Sequence, residues 1–437
     1  MDIFVGVIVG LLVLMVLVVA HEFGHFIMSR RNGVRVLEFG IGFPPRAVAW
    51  IKDPKTGKWR KLKKSEWTKS NITKTVGVEK ESSHKSSDAD DKKLIQKGLI
   101  FSINWLPIGG FCQMDGESAE DSRPGTFGNA SFWKKTKILF GGVMMNWLVA
   151  WLIFTILAWV GMPSFLDNQF TIGADTRVEQ KPVEVKTVHE DSPASRAGFK
   201  EGDLILKVNG EEVHYGSDIM KINDEHAGEK VTYTVQRDDT NCAKEATNCE
   251  GDSEIELTAE LNPKDSEYLL GIAMASSQAL AYSTWSAPIT GAGLTLQLTG
   301  ETFKGLGELV WNLISGVGQQ LSFDGTVREN GREAIESVGE SVTGPVGIIG
   351  VLFPSFTSSG PANLAFLAAV ISVSLACMNV LPIPALDGGR WLLIAIFKLR
   401  KKKLTKEVEE KIVARAFMIL LALIVIVTIL DITRFFR

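Results

Sequence analysis

Long runs of uncharged, apolar residues constrain the fold of this chain more than any other feature. Residues 3–20, 138–160 and 364–386 carry no charged side chain, and residues 416–430 add a fourth run. An α-helix needs about 20 such residues to cross a hydrocarbon core roughly 30 Å thick. The sequence therefore excludes a chain that is water-soluble throughout. It predicts an α-helical polytopic membrane protein, with four transmembrane helices at residues 1–30, 138–161, 362–397 and 410–433.

The charges between these runs predict the orientation of the helices. Residues 29–137 hold 22 Lys+Arg against 12 Asp+Glu, whereas residues 161–361 hold 14 Lys+Arg against 31 Asp+Glu. Lys and Arg collect on the cytoplasmic side of membrane spans. We therefore expect residues 31–137 inside, and both termini and the segment after the second helix outside. The net charge of −3 gives no indication of nucleic-acid binding.

The segments outside the apolar runs differ in character. Within the inside region, residues 52–97 are a charged insertion, and residues 101–114 combine β-prone residues with Pro and Gly, which predicts a membrane-associated β-hairpin. On the outside, residues 183–275 alternate as paired strands with short helices and predict one compact α/β module. Residues 285–350 are mildly apolar but carry charges, so we expect an amphipathic region at the membrane edge rather than a fifth span.

The end of the first apolar run carries the motif His21-Glu22-Phe23-Gly24-His25. On a helix, positions i and i+4 lie on one face, so both imidazoles can bind one Zn²⁺, and the adjacent Glu22 can act as a general base. The alternative is a set of polar residues that reach the lipid headgroups. Ionisable residues within a membrane segment are costly, which favours the functional interpretation.

A catalytic zinc site needs a third protein ligand and an open position. Asp387 is the best candidate, because it follows directly on 23 uncharged residues at 364–386. Pro382 and Pro384 are expected to break the helix before it. The alternative is that Asp387 caps the helix that begins near Arg390.

These motifs together resemble the site-2 protease family of intramembrane zinc metalloproteases, and within it the bacterial RseP-like group that regulates sigma-E. The resemblance rests on the His21–His25 motif and on Asn-x-x-Pro-x-Pro-x-Leu-Asp-Gly-Gly at residues 379–389. Further matches begin at Phe39, Leu106, Gly141 and Gly344. Residues 192–210, SPASRAGFKEGDLILKVNG, resemble a bacterial PDZ domain, of which the chain has room for one.

The resemblance implies that His21, His25 and Asp387 bind one Zn²⁺ and that Glu22 is the catalytic base. It also implies that an extended substrate is held by a second set of residues. These are Asn379, Leu106, Gly109, Gly110 and Phe111.

The expected function is cleavage of the transmembrane segments of single-span membrane proteins, such as anti-sigma factors or signal-peptide remnants, in a bacterial inner membrane. The expected partners are that transmembrane protein or peptide substrate and the lipid bilayer, with no nucleic acid, and the protein is expected to be a monomer. Two alternatives are a metal-binding membrane transporter and a non-catalytic PDZ membrane adaptor. Glu22 discriminates against transport, because transport does not need a base whereas hydrolysis does.

A disulfide is predicted between Cys242 and Cys249. These residues flank a short charged loop between two predicted antiparallel strands, where facing Cα atoms come within about 4.5–5.5 Å. The predicted topology places both residues outside, where disulfides persist. Two free thiols on the loop are the alternative.

Overall fold

The computed structural model forms two compact units, Met1–Thr155 with Gly291–Arg437, and Ile156–Thr290. Cys242 and Cys249 lie outside the described residues, so the disulfide stays a prediction. The structure describes residues 2–52, 57–64, 98–118, 120–166, 168–180, 182–213, 216–237, 253–264, 266, 268–274, 279–320, 324, 326–332 and 344–435.

The main elements alternate between long helices and three small sheets. The helices are α1 Asp2–Arg31, α2 Phe132–Val160, α3 Pro193–Ala197, α4 Gly216–Glu225, α5 Ala287–Gln320, α6 Pro345–Ser358, α7 Pro361–Val380, α8 Asp387–Leu399 and α9 Lys406–Phe435. The strands are β1 Val36–Lys52, β2 Trp59–Lys61, β3 Ile100–Met114, β4 Met162–Pro163, β5 Arg177–Gln180, β6 Val183–Val188, β7 Leu204–Val208, β8 Glu211–Glu212, β9 Lys230–Arg237, β10 Ser253–Glu260, β11 Ile272–Met274 and β12 Ala279–Tyr282.

Within the described part of the chain, four helices are long and apolar enough to cross a membrane, as the sequence predicts. They lie in α1, α2, α7 and α9, at Ile3–Arg31, Phe132–Val160, Pro361–Val380 and Lys406–Thr433. The predicted segment 362–397 is not one helix, because α7 ends at Val380 and α8 begins only at Asp387. The prolines between them break the helix as expected. Helix α5 is not among the four, and its exposed face includes Trp311 and Ile314.

The prediction of a β-hairpin at residues 101–114 is wrong in its pairing. Residues 38–41 of β1 pair with residues 110–113 of β3 and also with residues 100–103, so β1 lies between the two halves of β3. Residues 100–103 pair in turn with residues 48–51. A hairpin needs its arms to bond to each other, and here a segment some sixty residues earlier separates them. The sequence reveals the local turn residues but not this distant partner.

This first sheet, of order β2-β1-β3, packs against α1. Gly109 and Gly110 of β3 make the contact possible. A Cβ atom on Gly110 would lie 3.0 Å from Val19 Cγ2, and one on Gly109 would lie 3.4 Å from Val18 Cγ1. The sheet therefore abuts the helix directly before the HExxH motif. A shared apolar core that includes Phe26, Phe39 and Ile138 joins α1, the sheet and α2.

Helix α6 is tied to two other helices. The backbone N–H groups of Gly344 and Gly347 both donate to the Asp431 carboxylate of α9, each over 3.1 Å. A carboxylate at a helix N-terminus satisfies otherwise unpaired N–H groups. The other side of α6 approaches α1 closely, since a Cβ atom on Gly6 would lie 2.4 Å from Pro354 Cα. Asp431 is thus accounted for as a helix-capping group.

The second unit contains two sheets. The larger has the order β10-β9-β7-β6-β11, with β8 paired to β7, and the smaller has the order β4-β12-β5. Helix α4 buries Ile219 and Asn223, one turn apart, and Tyr233 of β9 donates a 2.5 Å hydrogen bond to Asn223. Strands β5 and β12 pair so that Gln180 lies opposite Ala279. The segment between Gln180 and Ala279, here called the insertion 181–278, is therefore flanked by two residues that lie opposite each other in one sheet.

Candidate metal centre

Three predicted ligands converge at one point of the first unit. The Nε2 atoms of His21 and His25 lie 3.1 Å apart, and they lie 3.1 Å and 3.2 Å from Oδ2 of Asp387. Four ligands at tetrahedral corners about 2.0–2.1 Å from a Zn²⁺ ion lie about 3.3–3.4 Å from one another. The triangle thus fits a zinc ion, with the fourth corner free for a water molecule or substrate. Both histidines are almost fully buried.

Glu22 lies beside this triangle without being part of it. The Glu22 carboxylate lies close to the backbone N–H of Cys112 in β3. The sheet therefore orients the carboxylate next to the donor atoms.

Glycine residues bring α1 and α2 into backbone contact at the site. A Cβ atom on Gly24 would lie 2.2 Å from the Gly141 carbonyl oxygen. A Cβ atom on Gly142 would lie 2.5 Å from His21 Cε1 and 2.7 Å from His25 Nε2. Small residues permit such close approach between apolar helices. The two imidazoles therefore lie directly on the α2 backbone.

The helix break delivers Asp387. The residue is the first of α8, and the preceding Leu386 makes no side-chain capping hydrogen bond. The Asp387 carboxylate faces the two imidazoles, as expected of a metal ligand. A capping carboxylate would instead face the backbone N–H groups at the start of the helix. Gly388 and Gly389 allow the tight return of the chain, because a Cβ atom on Gly388 would lie 2.1 Å from the Val380 carbonyl oxygen.

Each histidine also has a neighbour at its other ring nitrogen. His25 Nδ1 lies 2.9 Å from the carbonyl oxygen of Ile138. A carbonyl only accepts, so Nδ1 carries the proton and Nε2 keeps its lone pair for a metal. His21 Nδ1 lies 3.5 Å from Nδ2 of Asn146.

The residues predicted to hold the substrate are more scattered. Gly109 and Gly110 lie against α1, and Phe111 packs on Gly40, where a Cβ atom would be only 2.3 Å from the phenyl ring. Leu106 is half exposed. The Asn379 side chain donates to the Leu375 carbonyl oxygen of its own helix over 2.9 Å. The structure thus brings the glycines to α1, the helix that carries His21 and His25, while the Asn379 side chain is bonded within α7.

A cavity of about 950 Å³ extends from Asp387 into polar surroundings. Its wall includes Glu117, Arg390 and Glu409, with Arg390 Nε 3.3 Å from Glu409 Oε1. The Arg390 guanidinium also donates to the Glu117 carbonyl oxygen. The donor triangle is therefore next to a space that can hold water or peptide.

Sequence reasoning missed three groups of this site: the Cys112 N–H, the Ile138 carbonyl and the Gly142 backbone. The first two are main-chain atoms, which residue type does not reveal. Glycine within an apolar helix is a usable signal for the third, because it marks a close helix approach.

Two histidines at i and i+4, an adjacent glutamate and a distant aspartate on one centre are the arrangement of an HExxH metallopeptidase. Residues 9–59 and 92–424 match peptidase family M50, so the chain belongs to that family. The prediction of a site-2 type peptidase is thereby confirmed.

Two relatives whose names describe proteases align with nearly the whole of this chain. The chain is 25% identical over 472 residues to the regulator of sigma-W protease RasP of Bacillus subtilis, covering 99% of this chain and 100% of the relative. It is 26% identical over 472 residues to the zinc metalloprotease RasP of Bacillus licheniformis, covering 98% and 99%.

Substituting Gly142 by Ala tests the close approach. Because the new Cβ would lie 2.5 Å from His21 Cε1, the ring must move. We expect loss of bound zinc and a fall in cleavage rate of about 100-fold, the usual result of misplacing a catalytic group by about 1 Å. Zinc content and cleavage rate of the purified protein measure this. The matched control is Gly300→Ala in α5, where a Cβ atom meets nothing within 4 Å. A Gly142→Ala protein with full zinc content and rate would show that the approach is not required.

Proposed function

We propose that this protein is a zinc-dependent protease that cleaves transmembrane segments of single-span membrane proteins within the bacterial inner membrane. The observation that carries the proposal is the triangle of His21, His25 and Asp387 beside Glu22, at the end of an apolar helix long enough to span a membrane. Membership of peptidase family M50 supplies the peptidase chemistry. The Bacillus subtilis relative is named as a regulator of sigma-W, which supports anti-sigma factors as one substrate class, beside signal-peptide remnants.

In this proposal His21, His25 and Asp387 hold one zinc ion. Two imidazole nitrogens and one carboxylate oxygen are a common catalytic zinc set, and the zinc-metalloprotease names of the relatives agree with it. When bound, zinc acts as a Lewis acid that polarises the scissile carbonyl and makes water more acidic.

Glu22 acts as the general base. Its carboxylate takes a proton from the attacking water and later gives it to the leaving amide nitrogen. The nearby Cys112 belongs to β3, the strand proposed below to receive the substrate. This arrangement separates proton transfer from metal binding.

The first test separates those two roles. We expect Glu22→Gln to lower the cleavage rate by about two to four orders of magnitude while zinc stays bound, because only the base is lost. Asp387→Ala should lose both zinc and activity, because it removes a ligand. Cleavage of a single-span substrate and zinc content are measured on the same preparations, with a chelator-treated wild type as reference. Wild-type cleavage by Glu22→Gln would contradict the mechanism, and full zinc content in Asp387→Ala would return that residue to helix capping.

The substrate is proposed to bind as an extended strand. A transmembrane helix has its amides bonded internally, so it must unwind before hydrolysis. Residues 110–113 belong to β3, which lies at the end of the strand order β2-β1-β3, and such an edge strand can receive an added strand. Leu106, Phe111 and Asn379 complete the proposed substrate contacts.

Cross-linking tests this placement. In a Glu22→Gln background that retains substrate, we expect Leu106→Cys to cross-link to a cysteine near the scissile bond. Trp105→Cys is the control, because successive residues of a strand point to opposite faces and Trp105 is also exposed. Equal cross-linking of both variants would argue against a defined strand at this edge.

The proposed orientation places the metal toward the cytoplasmic side. Arg30 and Arg31 end α1, five and six residues beyond His25, and Lys134 and Lys135 lie at the start of α2. Basic residues flank the cytoplasmic ends of spans. The N-terminus, the second unit and the C-terminus then lie outside the cell, and one cleavage product is released inward.

Residues 183–275, within the insertion 181–278, are proposed to be a single PDZ domain that selects substrates. Support comes from its five-strand path with α3 and α4, and from β11, which lies at the end of that path. An edge strand beside a helix is the geometry in which PDZ domains add a peptide strand. A newly cut C-terminus is then expected near Tyr268 and Gly271, which precede β11. The domain also excludes membrane proteins with bulky outer domains.

Removing this insertion tests the selector role. Because Gln180 and Ala279 lie opposite each other, a two-residue Asn-Gly turn can replace residues 181–278. We expect short single-span substrates to be cut at the wild-type rate and substrates with bulky outer domains to become cleavable. Loss of all cleavage in a folded variant would count against selection.

A labelling control checks the orientation in the intact protein. Met220 on α4 is exposed, so Met220→Cys should react with a membrane-impermeant thiol reagent added outside. Labelling only after the membrane is opened would contradict the outside assignment.

A further inference from the structure

Asn146 is buried in α2 with no assigned role in the chemistry. Its side chain is fully buried, and Oδ1 has no hydrogen-bond partner among the described residues. Its Nδ2 lies 3.5 Å from His21 Nδ1, and its backbone oxygen accepts a 2.9 Å hydrogen bond from Ser372 of α7. Ser372 thus ties the Asn146 backbone to α7, and the amide group faces the ring of a metal-ligand histidine.

The protonation of His21 decides which amide atom faces it. Nε2 of His21 lies within the donor triangle and must keep its lone pair to bind a metal, so Nδ1 must carry the proton. An N–H needs an acceptor, and the amide NH₂ is a donor only. Oxygen and nitrogen of an amide are exchanged by a half-turn that does not change its shape, so their assignment follows from the hydrogen bonds.

We infer that Asn146 is a positioning residue that presents its amide oxygen to the Nδ1–H of His21 and so fixes this ligand for the metal. Either orientation of the Asn146 amide leaves one of its atoms without a partner among the described residues. The orientation is therefore decided by the Nδ1–H of His21, which needs an acceptor. Gly142, one helical turn before Asn146, lies against the Cε1–Nε2 edge of the same ring. Helix α2 then fixes the orientation of both imidazole rings, that of His25 through the Ile138 carbonyl and that of His21 through Asn146.

Three variants of the full-length protein, purified in detergent, test the inference through zinc affinity, measured by competition with a chelator. We expect Asn146→Leu to bind zinc about 10–100-fold more weakly, the usual loss when a ligand's hydrogen-bond partner is removed. Asn146→Asp keeps an acceptor oxygen and cannot donate through a nitrogen, so it should bind zinc within a few-fold of wild type. Ser372→Ala, which removes only the hydrogen bond to the Asn146 backbone, is the packing control and should also stay within a few-fold.

The outcomes separate an acceptor role from a structural one. Wild-type affinity in Asn146→Leu would overturn the inference, and so would an Asn146→Asp protein that is folded but binds zinc at least tenfold more weakly. If Asn146→Leu does not fold, the Asp variant alone decides. The inference rests on the proposed zinc site. A wild-type protein that binds no zinc would therefore refute both, whereas zinc-binding wild type with an unaffected Asn146→Leu refutes only this inference.

Discussion

The backbone contact between α1 and α2 is the constraint on which the rest of the site depends. Gly24 lies against the Gly141 carbonyl, and Gly142 lies against both imidazoles, so no side chain separates the two helices there. At this distance the main chain of α2 can serve the ligands directly, as the Ile138 carbonyl does for His25. The sheet then packs on the same helix through Gly109 and Gly110 and brings the Cys112 N–H to Glu22. Each functional group is thus located by contact with α1.

Burial of so many polar groups is tolerable only because they satisfy one another. An unpaired polar group in an apolar environment costs several kcal/mol, roughly 2–7 depending on the reference state. The Asp387 carboxylate contacts two imidazoles, and His25 Nδ1 contacts a carbonyl oxygen. The Glu22 carboxylate lies near a backbone amide. Asn146 stands apart, since its Oδ1 has no partner within the described residues. In a site otherwise well satisfied, such an atom is consistent with the exchanged orientation of the amide, in which the oxygen faces Nδ1–H of His21.

The sequence predicts the ligands better than it predicts their surroundings. The spacing of His21 and His25 needs only helical periodicity, and Asp387 stands out because it ends an uncharged run after two prolines. The interleaving of β1 and β3 could not be predicted in this way, because strand partners far apart in sequence leave no local signal. The contacts of Ile138 and Cys112 could not be predicted from the sequence either, because they involve main-chain atoms that every residue type has. Asn146 belongs to a recognisable motif, yet only the distance to His21 gives it a role.

Water must also reach a site built from apolar helices. The cavity beside Asp387 solves this problem from the side of α8 and α9, where Glu117, Arg390 and Glu409 line its wall. Under the proposed orientation this is the cytoplasmic side, which agrees with the motif's position near the basic end of α1 rather than at its middle. Water supply and release of the polar product then share one polar surface, while the peptide reaches the site from the apolar side. The helix break between α7 and α8 therefore has two consequences: it places Asp387 beside the two imidazoles, and it places the same residue at the wall of a cavity that water can enter.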